Sequence, residues 1–317
     1  MTSIETGSPT YRIGVDIGGT SVKCGIVDAN NSIIAIKAIP TNSPRPWQSL
    51  LADIGNLVRE ILRDNNISLS SCEKIGVGCP GTVNGETGFV PYSNNLVWKD
   101  VPVAEALKED LSLDVKVTND ANCAALGEVV AGAAKGCVNA VMLTLGTGVG
   151  SGIVINGKIF EGGYPGGAEL GHILLHKNGY ECSCGRKGCI EAYASATALE
   201  RDAREVVTIF KDSLLAKVEN IESKDVFDAV REGDFAAIGI VYNYILALAE
   251  GLTDIVNIFR PEKIIIGGGI SKASDILLKP LNEYSNKYCF GGNDSYLPVF
   301  VSAELGNDAG IIGAANL

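Results

Sequence analysis

Basic residues are in short supply here: 26 lysines and arginines stand against 37 aspartates and glutamates in 317 residues, a formal net charge of −11. Phosphate backbones are held by clustered Lys and Arg, so a nucleic-acid partner is not expected. Long apolar runs are lacking too, and none approaches the roughly 18 residues that mark a membrane span. The opening Met-Thr-Ser-Ile-Glu-Thr-Gly has neither a basic head nor an apolar core, so no leader is read there. These absences point to a cytoplasmic protein with no membrane partner. Low-complexity segments and flexible linkers are missing as well. So is any G-x-x-x-x-G-K-[ST] stretch. The near match to a dinucleotide fingerprint has Ser151 where glycine is required, and a strand pattern follows where a helix should.

Histidine occurs only twice, and one copy, His172, lies ten positions before Cys182-x-Cys184-x4-Cys189, which holds three of the nine cysteines. Three thiolates and an imidazole form the donor set of a tetrahedral zinc, with no position left for water, so such a metal would be structural. Gly185 and Gly188 let the chain turn back between the ligands. Ordinary reduced cysteines or a redox pair are the alternative, and as fourth ligand His172 is favoured over His176, which follows an apolar run and could as easily be a plain surface histidine. Cysteines one residue apart rarely reach disulfide geometry, which favours the metal. Glu169 and Glu191 would then be carboxylates held rigidly beside the knot. The other cysteines, at 24, 72, 79, 123, 137 and 289, sit among apolar neighbours as small hydrophobes, which suits a reducing compartment.

The length and a 46% hydrophobic, 20% charged composition suit two α/β domains. Alternating apolar residues predict a strand over 12–17 that delivers Asp16 to a Gly18-Gly19-Thr20 turn, with a return strand over 22–27 carrying Lys23. Helices are read over 47–63, 103–111, 121–131, 195–210, 223–231, 235–259 and 309–316. Further strands are read near 32–38, 74–77, 114–117, 263–266 and 297–303. Thr118-Asn119-Asp120 follows one of these strands and opens a helix, where Asn and Asp also serve as caps. The nine residues from Gly19 to Val27 match Gly146 to Val154 at six positions, at a constant offset of 127. The same strand, glycine turn and strand thus recurs, either as a duplication or by chance. Two such turns, Gly18-Gly19-Thr20 and Gly146-Thr147-Gly148, could bring backbone amides to the phosphates of a nucleotide. Gly267-Gly268-Gly269 is a third place for close backbone approach.

On these residues the chain resembles the ROK family of sugar kinases, bacterial glucokinases in particular. The most specific part of the likeness is Glu169-Leu170-Gly171-His172 together with Cys182-Ser183-Cys184 through Cys189-Ile190-Glu191. The resemblance implies an α/β fold of the actin-like ATPase (ribonuclease H-like) type, with two duplicated α/β domains flanking a cleft. The first domain would span 1–118, with 305–317 packing back on it, and the second 119–304, with the zinc insertion. It implies ATP, Mg2+ and a structural Zn2+, and phosphorylation of glucose at the 6-hydroxyl. Asp120 resembles the general base. Gly81, Asn94, Asn119, Glu169, His172 and Glu191 match sugar-binding positions. Asp16, Gly18, Gly19, Thr20, Lys23, Gly146, Thr147, Gly148, Gly268 and Gly269 match the nucleotide and magnesium side. Ala168 departs from the glycine that many members place before the glutamate. N-acetylmannosamine, N-acetylglucosamine or another hexose is the alternative substrate. A sugar-responsive repressor is a further reading, disfavoured because about ten residues precede the first strand, too few for a helix-turn-helix. A homodimer or homotetramer is usual for such kinases.

Overall fold

The computed structural model describes residues 10–292 and 296–317. The opening stretch read above for a leader lies outside them. In chain order, β1 is Tyr11–Ile17, β2 Ser21–Val27, β3 Ile33–Pro40, α1 Trp47–Asp64, β4 Cys72–Cys79, β5 Thr82–Asn84, β6 Phe89–Ser93 and β7 Trp98–Val101. They are followed by α2 Val103–Leu111, β8 Val115–Asn119, α3 Asp120–Val130, β9 Ala140–Leu145, β10 Val149–Ile155 and β11 Lys158–Ile159. Then come α4 Glu191–Ala194, α5 Ala196–Val206, α6 Ser223–Arg231, α7 Phe235–Phe259, β12 Lys263–Gly267, α8 Ser274–Tyr288, β13 Val299–Ser302 and α9 Ala309–Ala315.

The first sheet has the order β3-β2-β1-β4-β8. Its outer strands β2 and β3 are antiparallel, while β4 and β8 run parallel to β1. Ile13, Val15 and Ile17 of β1 are fully buried, as their alternation predicts. Helix α1 buries Leu50, Ile54, Leu57, Val58 and Ile61, one stripe at helical spacing, and packs on β2 and β3. Helix α9 packs on β1, β4 and α3. Its sequence Ala-Gly-Ile-Ile-Gly-Ala-Ala permits unusually close contact. A Cβ at Gly14 would lie 2.0 Å from the Ile311 carbonyl oxygen, and one at Gly76 would lie 1.7 Å from that of Ala314. Gly14 and Gly76 are register partners on β1 and β4, so the helix rests on a glycine step. At the end of α3 the fully buried Glu128 carboxylate accepts from the amides of Ala133, Glu304 and Leu305 at 2.8, 3.0 and 2.8 Å.

A second sheet has the order β11-β10-β9-β12-β13, with β12 parallel to β9 and β13. A third, β5-β6-β7, is antiparallel and was not expected from the sequence. Its strands are three to five residues long, too short for periodicity to show. Helix α8 is also new, because Pro280 interrupts its helical signal. The helix expected over 195–210 ends earlier, at Val206. Helix α7 starts on an Asp234 cap and ends at Arg260, whose φ is 42°. By length and composition alone α7 could cross a membrane, since an 18-residue window of it has a mean hydropathy of 1.6, but Asn243, Glu250 and Asp254 interrupt it, so it is no continuous apolar run. Half of that window is buried, and α7 packs against α4, α5, α6 and α8.

The chain forms two compact units. Unit 1 holds the described residues of Met1–Gly136 together with Gly152–Ala168 and Glu304–Leu317, and unit 2 holds Cys137–Ser151 and those of Glu169–Ala303. The boundary expected after residue 118 therefore falls within unit 1. The reason is that α3 packs on α9, β4 and β8.

Candidate active site

In unit 1 the candidate residues gather where β1, β4 and β8 end. Strand β8 delivers Asn119, whose side-chain oxygen accepts from the Ala121 amide at 2.8 Å and caps α3. The Asn119 amide group donates to the Gly81 carbonyl at 3.1 Å. Gly81 has φ +112°, and a Cβ there would meet the Tyr92 carbonyl oxygen at 2.3 Å, so the turn needs glycine. Asp120 is the first residue of α3, and its Oδ1 accepts from the Ala121 amide at 3.0 Å. Burial raises its pKa above the ordinary carboxylate value, against the opposing pull of its hydrogen bonds to the Ala121 and Asp120 amides and Asn119. Asp16, at the end of β1, is pushed up to about 6, first by burial and then by the Asp120 charge, with Lys23 opposing. Lys23 is its register partner on β2. Thr41 is fully buried, and its hydroxyl donates to the Gly18 carbonyl at 2.7 Å while its amide donates to Thr20 O at 3.0 Å. The Gly18-Gly19-Thr20 turn is thereby clamped. Asn94, in the β6–β7 turn, is exposed, and its side-chain oxygen accepts from the Tyr92 hydroxyl at 3.2 Å.

In unit 2 the matching turn, Gly146-Thr147-Gly148, joins β9 to β10. The Gly146 amide donates to Gly148 O at 3.0 Å, and the start of α5 holds the turn through the Ala196 amide to Gly146 O and the Thr197 hydroxyl to Thr147 O, both 2.8 Å. Gly268 has φ +78°, and a Cβ on it would fall 2.4 Å from Leu145 O, so the glycine run after β12 lies against the end of β9.

The zinc candidates come together here. The ligand atoms of His172, Cys182, Cys184 and Cys189 all lie within 4.8 Å of one another. His172 Nδ1 is 3.5 Å from Cys182 Sγ, and Cys184 Sγ is 3.7 Å from Cys189 Sγ. A zinc tetrahedron has S···S edges of about 3.8 Å and S···N edges of about 3.5 Å, given bonds of about 2.3 and 2.0 Å. The donor set therefore fits a zinc. His176 stands outside it, its ring edge-on to Tyr193 at 4.7 Å.

Glu191 ties this knot to the glycine turn. One carboxylate oxygen accepts from the Ser183 hydroxyl at 2.5 Å and from the Cys182 thiol at 3.5 Å, and the other accepts from the Val149 amide at 3.0 Å. Glu169 precedes a short 3-10 turn, Leu170–His172, and its carbonyl accepts from the His172 amide at 3.1 Å. Ala168, just before it, has φ +65°, the left-handed region where glycine is unstrained. Thr41, Ser183 and Thr197 support the site and were not singled out from the sequence. Only the position of Ser183 between two ligand cysteines could have flagged it.

The model of the ROK family matches residues 12–317. The chain belongs to the ROK family. It is 40% identical over 311 residues to a glucokinase of Halalkalibacterium halodurans, covering 96% of this chain and 94% of that one. A glucokinase of Thermotoga maritima is 37% identical over 312 residues, with 96% of each covered. A ROK family glucokinase from Streptomyces griseus, solved in complex with glucose and AMPPNP, has a TM-score of 0.78 and 32% identity, covering 96% of this chain and 98% of that one. The mixed α/β architecture is thus the actin-like ATPase fold of ROK proteins.

Proposed function

We propose that this ROK protein transfers the terminal phosphoryl group of ATP to the 6-hydroxyl of glucose, with Asp120 taking the hydroxyl proton. The observation that carries the reading is Asp120 itself: a buried carboxyl of raised pKa, fixed by Asn119 and the Ala121 amide at the start of α3. Burial lifts a carboxylate toward the working pH and so makes it a better base. The relatives named glucokinase, at 40% and 37% identity over nearly the whole chain, support glucose as the hexose.

Phosphoryl transfer asks mainly for positioning and charge neutralisation. In this reading the turns at Gly18-Gly19-Thr20 and Gly146-Thr147-Gly148 present amides to the phosphates, and Gly268 and Gly269 face the adenosine. Asp16, with Lys23 beside it, would hold Mg2+, which when bound spreads the negative charge of the phosphates. Gly81, Asn94, Asn119, Glu169, His172 and Glu191 would bind the sugar. His172 turns Nδ1 toward the cysteines, which leaves Nε2 for a hydroxyl. Zinc would be held by His172, Cys182, Cys184 and Cys189 as a structural ion.

A coupled assay across a sugar panel tests the reading, with Asp120→Asn alongside. Glucose should exceed N-acetylmannosamine and fructose in kcat/KM by at least about tenfold, which is about 1.4 kcal/mol of transition-state binding. Asp120→Asn should keep the helix cap of Asn119 and lose roughly 10² to 10⁴ in kcat. A better turnover with N-acetylmannosamine would overturn the choice of sugar, and near-normal turnover of Asp120→Asn would overturn the base.

A further inference from the structure

Asp120 sits between two buried polar side chains, Thr118 two residues before it and Asn122 two residues after, which are 2% and 7% exposed. Both reach the same acceptor. The Thr118 hydroxyl donates to Glu161 Oε1, and the Asn122 amide donates to Thr118 Oγ1 at 3.1 Å and to Glu161 Oε1 at 3.5 Å. A hydroxyl has one proton to give, so the chain of bonds has a direction: Asn122 into Thr118, and Thr118 into the Glu161 carboxylate. Bonds that end on a carboxylate are the stronger kind, and buried chains of this sort hold one geometry when every member is satisfied.

Glu161 comes from a different part of unit 1, directly after β11 and at the foot of a glycine-rich loop. Its carboxylate lies close against Gly85, where a Cβ would meet Oε2 at 2.2 Å, and its backbone lies close against Gly167, where a Cβ would meet the Glu161 carbonyl oxygen at 2.5 Å. The acceptor is therefore held in place rather than free to follow the turn. We infer that Glu161 is a positioning residue for the phosphoryl transfer: through Thr118 and Asn122 it fixes the β8–α3 turn and so the direction in which Asp120 points. It rests on the reading of Asp120 as base. A base must lie within hydrogen-bond reach of the proton it takes, and a misplacement of about 1 Å can cost about 10²-fold in rate. Nothing in this role touches the nucleotide.

The test is a kinetic cycle on the full chain with glucose and MgATP. Glu161→Ala and the isosteric Thr118→Val should each lower kcat about 10- to 100-fold while KM for MgATP stays within about twofold. Glu161→Gln keeps an oxygen that can accept from Thr118, so it should stay within about threefold of the parent. The Thr118→Val/Glu161→Ala double variant should be no slower than the worse single one, because the two act through one chain of bonds. Wild-type kcat in either single variant would overturn the inference. So would a double variant whose losses multiply, or a Glu161→Gln as slow as Glu161→Ala with the loss following its melting temperature. If Glu161→Ala does not fold, Thr118→Val, which keeps the volume, decides alone. Asp120→Asn run beside them separates the two ideas: a slow Asp120→Asn with fast Glu161 and Thr118 variants leaves the base standing and removes only its positioning.

Discussion

Burial works against two carboxylates in unit 1, and the sign of that effect can be measured. Asp16 is raised from 3.8 to about 6, so the folded state binds its proton more tightly than the unfolded chain does. Such a group stabilises the fold fully below the unfolded pKa, and that contribution is lost as pH rises from about 3.8 to about 6. Above that range the ionised carboxylate is a cost. Asp16→Asn should therefore raise the unfolding free energy of the ligand-free protein at pH 7, by up to about 3 kcal/mol, and change it little at pH 3.5. Denaturant titrations at the two pH values check this, and a variant less stable at pH 7 would refute it. The same variant should lose magnesium-dependent nucleotide binding. A charge held at a cost to stability is what a site kept for a cation or a proton would show.

Among elements, the loop bearing the cysteines is tied to the glycine turn of the same unit. Glu191 accepts from Ser183 in that loop and from the Val149 amide just past the glycine turn, so the knot and the turn share one carboxylate. Elemental analysis should find one zinc per chain. Stripping it with a strong chelator should weaken nucleotide binding as well as glucose binding, as read by calorimetry with each ligand separately. Unchanged nucleotide affinity in metal-free protein would show that the carboxylate does not transmit the loss. Spacing alone made the three cysteines legible, because metal ligands must return to one point within a few residues. The sequence also favours His172 over His176, which follows an apolar run, and His172 is the ring found beside the three sulfurs. Asn119 and Asp120 could be read from a strand that ends on a capping pair. Thr118 and Glu161 could not, because they are 43 residues apart and meet only when β8 and the segment after β11 are folded. The β5-β6-β7 sheet escaped notice for a similar reason: its short strands are defined by their partners.

At the scale of the whole molecule, the pattern legible in the sequence was the repeated glycine hairpin, and it does occur twice, as β1–β2 and β9–β10. The boundary between the units was harder to read. Unit 1 draws on three separate stretches of chain, and composition carries no mark of where each begins.

That threefold origin sets an order of events on the ribosome. The last stretch, Glu304–Leu317, carries the helix that covers Gly14 and Gly76, and it supplies two of the amides that satisfy the buried Glu128. Until it emerges, unit 1 has an open apolar face and a carboxylate short of its donors, a shortfall that costs more than the about 1–3 kcal/mol of a neutral group. Unit 2 is fully translated by Ala303. Nascent chains stalled with residue 303 just outside the exit tunnel should therefore give protease-resistant fragments from unit 2 and none from unit 1, and chains long enough to expose Glu304–Leu317 as well should protect both. Early protection of residues 11–130 would show that the first sheet needs no cover. Without such early protection, the residue proposed as base is made before unit 2 is complete and locked in place only after it.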